Sequence, residues 1–427
     1  MMSFVALIFV STMRTNQILC IAALLLGPFS LVFAQGIVFE QGTFADLKSK
    51  AATSGKPIFI DAYTTWCGPC KMMSRSVFPD AKVGSFYNPA FVSAKIDMEK
   101  GEGVELARQF RVNAYPTLLF LNASGEIIHR AVGARNADDF IELGRQALNP
   151  EENLAGMTRR FNANPSNPQL AFSYLSLLEE SGGGNPAESL NAYLATQSRE
   201  SWAEPHNWKI LYHLIRNPEN PLFQNLIAEK AAFSARYTAD SVTGKIRQVL
   251  FSSLHQAAYS GDEELWNKRR DAVRAQGLPN SERVIARTYI ELAGENLDEL
   301  NKRRVAYLDA FPSKDPEELN EMAWGVYETG KDPAVLRKAE LWAKSALDLA
   351  PDNPLIRDTY AAILFRNDKL KEAREQAVMA IDQGEKAGEK MEGTRELLTR
   401  INKALKPKAP AAGPKAKTAK TKMDARK

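Results

Sequence analysis

Apolar and polar positions fall into two textures along this chain. Between residues 37 and 148, short strand-like runs are interleaved with helical ones. Ile37–Glu40 predicts a short strand, and Thr43–Thr53 a helix closed by Ser54-Gly55. Residues 57–63, PIFIDAY, form an apolar run interrupted by one acid, the pattern of a buried strand. A helix is expected through Lys71–Ser76 and a strand over Phe91–Asp97. Val104–Phe110 reads as a short helix with Val104, Ala107 and Phe110 on one face. Thr117–Leu121 and Ile127–Val132 predict a hairpin around Asn122-Ala-Ser-Gly125, and Asp138–Leu148 an amphipathic helix. Strands and helices interleaved in this way predict an α/β domain over residues 35–148.

After Asn149-Pro150 the strand signals fade. Residues 149–405 read as helix after helix, punctuated by NPSNP (164–168), SGGGNP (181–186), NPENP (217–221) and PDNP (351–354). Ala339, Ala343 and Ala346 recur 34 residues on as Ala373, Ala377 and Ala380, and Asn267-Lys-Arg-Arg-Asp-Ala272 recurs at the same offset as Asn301-Lys-Arg-Arg-Val-Ala306. Small residues at fixed places let paired helices approach closely, and a fixed period marks a stacked array. Residues 341–381 resemble the tetratricopeptide family, with helix-interior alanines, Pro351 at the turn, and Ala373 and Ala380 in the next hairpin. Residues 151–300 match that pattern only loosely. The fold class expected is therefore an α/β domain followed by an all-α, tetratricopeptide-like repeat region.

The ends differ from both textures. Residues 18–33, ILCIAALLLGPFSLVF, are an uncharged apolar run behind Arg14, broken by Gly27-Pro28 and followed by Val32-Phe33-Ala34. This predicts a signal peptide over residues 1–34, cleaved after Ala34, with a retained membrane anchor as the alternative and Met13 as a second candidate start. Export implies a periplasmic or otherwise non-cytoplasmic, oxidising compartment. Residues 406–427 are rich in Lys, Ala and Pro without periodicity, which predicts a disordered basic tail. The tail reads as a solvated end or as a contact with an anionic envelope surface.

Composition changes the picture in two respects. The net charge of +4 is misleading, because residues 406–427 carry eight basic residues and one acid and leave residues 35–405 at −4. A mildly acidic body gives no reason to expect nucleic acid as a partner. Cysteine is the sharper count: three in 427 residues, Cys20, Cys67 and Cys70, exclude a disulfide-stapled scaffold. Removal of the signal would take Cys20 with it and leave one Cys-x-x-Cys.

That pair lies in Trp66-Cys67-Gly68-Pro69-Cys70, between a buried-type strand and a helix. A helix N-terminus stabilises negative charge, so the Cys67 thiol is expected to fall from roughly 8.5 toward about 7. Cys70, three positions on, shares its face and is within disulfide reach. Pro69 is tolerated in a first turn that has no intrahelical N–H bond to lose. Cys67 is then the nucleophile toward a substrate disulfide and Cys70 the residue that resolves the mixed disulfide. A zinc half-site is the competing use of such a pair, but structural zinc wants four ligands, and His129, His206, His213 and His255 are scattered. No metal and no cofactor are expected.

Asp61-Ala-Tyr-Thr-Thr-Trp66-Cys67-Gly-Pro-Cys70, followed by Tyr115-Pro116-Thr117 and Val132-Gly133, resembles thioredoxin in order, spacing and context. The segment from Ser76 to Val112 is similar to the C-terminal domain of transmembrane thiol:disulfide interchange proteins. The resemblance covers about a quarter of the chain. It implies a thioredoxin fold in which Asp61 is a buried acid that exchanges a proton with Cys70, against the alternative of a solvated strand-end aspartate. It implies that Pro116 is a cis-proline presenting backbone to a substrate strand, against an ordinary strand-start proline. Trp66 would flank the thiol and shape substrate access. Tyr115 stands where a small aliphatic residue is usual, so substrate preference does not carry over. The strand lysine found near the buried acid in thioredoxins has no secure match, since Lys95 falls two residues from the aligned place.

The Gly-Pro dipeptide is that of reducing thioredoxins, near roughly −270 mV, rather than of oxidants near about −120 mV. The activity implied is a thiol-disulfide oxidoreductase that reduces or isomerises disulfides in envelope proteins. Its partners would be protein disulfide substrates, a membrane thiol-interchange electron donor, and a peptide or protein on the helical repeats. A spacer or dimerisation role is the other reading of the repeats. An assembly adaptor whose thioredoxin domain serves mainly in binding is the alternative from another class.

Overall fold

The computed structural model describes residues 36–406. The expectations for residues 1–34, Cys20 among them, and for the tail beyond Lys406 lie outside the described residues. The chain divides into two compact units, Met1–Leu214 and Ile215–Lys427.

The described part of the first unit opens on an extended segment, Gly36–Glu40. It is not the short sheet strand that the pattern predicts. Its donors go to scattered acceptors, Ile37 N–H to Phe78 O, Val38 N–H to the Asn88 side chain and Glu40 N–H to Ser93 O, so no ladder forms. Helix α1 (Phe44–Ser54) follows, with Thr43 and Asp46 as a capping box and Gly55 closing it in the left-handed conformation. The strands are β1 (Ile58–Tyr63), β2 (Val92–Asp97), β3 (Thr117–Leu121) and β4 (Ile127–Val132). They lie in the order β2-β1-β3-β4, with β1 parallel to β2 and antiparallel to β3, and β3 antiparallel to β4.

The two faces of β1 meet different layers. Ile58, Ile60 and Ala62 pack with Phe44, Leu47, Leu119 and Leu121, whereas Phe59 packs with Met73, Tyr87, Phe120 and Phe140. A strand alternates with period two, so Asp61 shares the Phe59 face. That face is covered by α2 (Gly68–Met72), its π-helical continuation Met73–Val77, α3 (Ala81–Ala90), and α5 (Ala137–Leu148); α4 (Gly103–Gln109) leads into the loop before β3. Gly84, Asn88 and Pro89 hide α3 from a propensity reading, but Asp80 caps it and Pro89 stands in its last turn. Tyr87 of α3 stacks on Phe140 at 4.2 Å and donates to its carbonyl at 2.7 Å. Gly144 of α5 makes room for this, since a Cβ there would lie 2.5 Å from the Phe86 ring.

Helices α6 (Leu154–Ala163) and α7 (Pro168–Ser181) pack on β4, the edge strand. His129 is fully buried and its Nδ1 accepts the Leu154 N–H at 3.2 Å. Arg130 donates to Phe110 O and Ser181 O, both at 2.8 Å. Two further α-helices, Pro186–Leu194 and Pro205–Leu214, complete this unit.

The second unit is all helical within its described residues. Six alanines of the 34-residue offset, Ala339, Ala343, Ala346, Ala373, Ala377 and Ala380, are fully buried. The second offset also recurs as structure: Arg270 donates to Asn267 at 2.6 Å, and Arg304 to Asn301 at 2.8 Å. The region is helical throughout its described residues, with local contacts repeated at the 34-residue offset.

Candidate active site

Strand β1 delivers the chain through Thr64 and Thr65 to Trp66 and Cys67. Cys67 takes the N-cap position of α2 with extended backbone, and its sulfur accepts the Cys70 N–H at 3.1 Å. Pro69 sits in the first turn, where its missing donor costs nothing. Cys67 and Cys70 form a disulfide with their Cα atoms 5.3 Å apart. Both side chains are buried.

The segment before β3 reaches the same place. The Tyr115–Pro116 peptide bond is cis. Pro116 O accepts the Gly133 N–H at 2.8 Å, and the Thr117 hydroxyl donates to Ala114 O at 2.7 Å. The Tyr115 ring meets the Trp66 indole edge-on, with centroids 5.9 Å apart, which joins the cysteine turn to the proline turn. Trp66 is 64% exposed. Its Nε1–H is shared between the two carboxylate oxygens of Glu99, each at 3.0 Å. Burial, and then the negative charges of Glu99 and Asp97, push the Tyr115 phenol above its ordinary value.

Asp61 is fully buried. In the sheet it stands opposite Lys95 on β2 and Leu118 on β3. The Lys95 ammonium lies 3.3 Å from its Oδ2, and neither carboxylate oxygen has an aligned hydrogen bond among the described residues. Burial pushes the Asp61 carboxyl up to about 6, with the Lys95 charge opposing that rise. The group can therefore take and return a proton near neutrality.

Lys95 and Glu99 are the residues that the sequence reading left out. Lys95 carries a signal, the one basic residue in the strand run Phe91–Asp97, but only the parallel register sets it against Asp61. Glu99 lies in a loop and had none. Among the described residues no group of three or more His, Cys, Asp or Glu is placed to hold a metal ion.

A four-stranded sheet with this strand order and a Cys-x-x-Cys at the start of the helix after its central strand defines a thioredoxin-like dithiol protein. Residues 44–148 match the family model for a thioredoxin-like domain. Over 99 residues the chain is 34% identical to a thioredoxin-like protein of Synechocystis, covering 23% of this chain and 89% of that protein. It is 31% identical over 121 residues to the thiol:disulfide interchange protein DsbD of Ralstonia nicotianae, covering 27% of this chain and 20% of DsbD. A solved putative disulphide-isomerase from Bacteroides thetaiotaomicron is 46% identical, over 27% of this chain and 94% of that one, with a TM-score of 0.25. The chain spans only about a fifth of the length of DsbD and of the protein disulfide-isomerase of Datisca glomerata. Through residues 44–148 the chain belongs to the thioredoxin-like family.

Proposed function

We propose that this protein is an exported thiol-disulfide oxidoreductase that reduces or isomerises disulfides of other envelope proteins through Cys67 and Cys70. The observation that carries the reading is the Cys67–Cys70 pair at the start of α2, with the Cys70 N–H directed at the Cys67 sulfur and Asp61 buried on the strand that leads to it. In the reduced form the Cys67 thiolate, held by that N–H, attacks one sulfur of a substrate disulfide. A Cys67–substrate disulfide forms, and the first substrate sulfur leaves as a thiolate and takes a proton from water. The Cys70 thiol then gives its proton to Asp61 and attacks the Cys67 sulfur. The Cys67–Cys70 disulfide closes and the second substrate thiolate departs. Two electrons have passed to the substrate, so turnover requires a thiol donor that reopens the pair. A membrane thiol-interchange protein is the donor class that suits an exported dithiol.

Pro116 and Tyr115 are assigned to the substrate side, with Trp66 as the exposed aromatic wall beside the nucleophile. The apolar run at residues 18–33 supports export to a periplasm-like compartment. The repeated helices are assigned to peptide or protein partners of the tetratricopeptide kind. An adaptor without chemistry would have no need of the dithiol and the buried acid together.

Cys70→Ala leaves mixed disulfides unresolved. Expressed with its N-terminal segment and run on non-reducing gels, this variant is expected to carry dithiothreitol-sensitive adducts that are absent from the Cys67→Ser/Cys70→Ala double variant. Recovery of no covalent partner would favour the adaptor.

A further inference from the structure

The Lys95 ammonium sits in a cage that the sheet register alone does not build. It donates to the Ser74 hydroxyl. It lies over the rings of Phe39, Tyr63 and Phe78, at 5.7, 5.0 and 5.0 Å from their centroids. Its side chain is 24% exposed, whereas that of Asp61 is closed to solvent. A lysine has a flexible four-carbon stem and a strongly hydrated head. Cross-strand pairing places the stem, but an ammonium with a route to water needs a partner to stay beside a buried carboxylate. Ser74 is the fixed hydroxyl that the structure provides.

Ser74 belongs to the π-helical turn Met73–Val77, which continues directly from the helix that carries Cys70. Such turns are rare, re-aim the side chains they carry, and concentrate at functional sites. Met73 and Val77 of this turn are buried in the core layer below, which fixes the turn against the sheet.

We propose that Ser74 is a positioning residue of the redox site: its hydroxyl, presented by the π turn, holds the Lys95 ammonium against the Asp61 carboxylate. The consequence for turnover rests on the Cys67/Cys70 reading; the positioning itself does not. Other charged groups on the surrounding elements are directed elsewhere. Asp97 at the end of β2 pairs with Lys100 at 3.0 Å, Glu40 pairs with Lys50, and Lys71 and Arg75 are exposed on the helix side. Strand β3 carries no ionisable side chain, and Tyr63 on β1 offers the ammonium its ring face. Lys95 is therefore the charge that opposes the burial of Asp61, and release of Lys95 leaves burial to act alone.

The test is the titration of Asp61, followed by carboxyl-carbon NMR in the reduced full-length protein, alongside the pH profile of disulfide reduction. Ser74→Ala is expected to move the Asp61 titration upward by about one pH unit, within the range that an adjacent opposite charge controls. The lower limb of the rate profile should move with it. Ser74→Thr should keep both, and Ser74→Val, of the same size without the hydroxyl, should lose both. This pair decides the matter even if the alanine variant folds poorly. Lys95→Met should shift the titration at least as far, and Ser74→Ala should add nothing in that background. An unmoved titration in Ser74→Ala and Ser74→Val would overturn the proposal. So would a Ser74→Ala shift that persists without Lys95. A wild-type protein that reduces no disulfide would overturn the functional reading instead, and the titration would still decide the role of Ser74.

Discussion

Asp61 is the acid on which the proposed mechanism turns, and its protonation is set by burial. In the unfolded chain its carboxyl titrates near about 3.9, and in the fold at about 6. Between those values the folded chain holds a proton that the unfolded chain has lost. Stability therefore falls as pH rises through this window, and above it the full cost of the buried charge is present. Asp61→Asn removes that cost. The variant should be more stable than wild type above pH 7, by about 3 kcal/mol for a two-unit shift, and should match it below about pH 4, where both forms are neutral. Denaturant melts at the two pH values measure this. The same variant lacks the acceptor for the Cys70 proton, and resolution of a mixed disulfide should slow on the order of 10²-fold. Asp61 was legible as a single acid inside an apolar run, and the cysteines as a pair at a helix start. Lys95 was not, because its meaning depends on the register that sets it opposite Asp61. Glu99 was not, because nothing in a loop sequence aims its carboxylate at the Trp66 indole.

The long periodic elements could be read from pattern, and the departures have local causes. Ile37–Glu40 has the composition of a strand, but its N–H groups are taken by Phe78, Asn88 and Ser93 in turn. Helix Ala81–Ala90 contains Gly84 and Pro89, which argue against a helix on propensity, yet packing of Val83 and Tyr87 overrides them. The helix expected through Lys71–Ser76 changes to π geometry at Met73, and no local sequence rule marks that change. The largest surprise is the edge strand β4. Its fully buried His129 Nδ1 and its Arg130, nearly as buried, find partners in Leu154 N–H and Ser181 O, which lie beyond the residues that resemble thioredoxin, while His129 Nε2 has none among the described residues. A fragment of residues 36–148 lacks these two partners, leaving Arg130 only Phe110 O, whereas one of residues 36–214 keeps them. The shorter fragment should melt lower by about 10 °C, on the basis of about 2 kcal/mol for the partners lost. Equal melting temperatures would show that α6 and α7 add nothing to the sheet.

At the scale of the whole molecule, the change of texture at Asn149-Pro150 does mark where strands give way to helices. Pattern alone does not show that the helices up to Leu214 belong to the same compact unit as the sheet, because that grouping is made by packing of α6 and α7 on β4 and of the two later helices on α7. The helical array from Ile215 onward shows its period in the buried alanines and in the repeated Asn–Arg pairs. Only one centre in the described residues combines a dithiol, a buried acid and a cis-proline. The proposed function depends on that centre being chemically active. Reduction of insulin with dithiothreitol as donor, followed by precipitation of the free B chain, tests this directly. The full-length protein should accelerate precipitation in proportion to its concentration, and Cys67→Ser should return the rate to that of dithiothreitol alone. A Cys67→Ser variant as active as wild type would contradict the account.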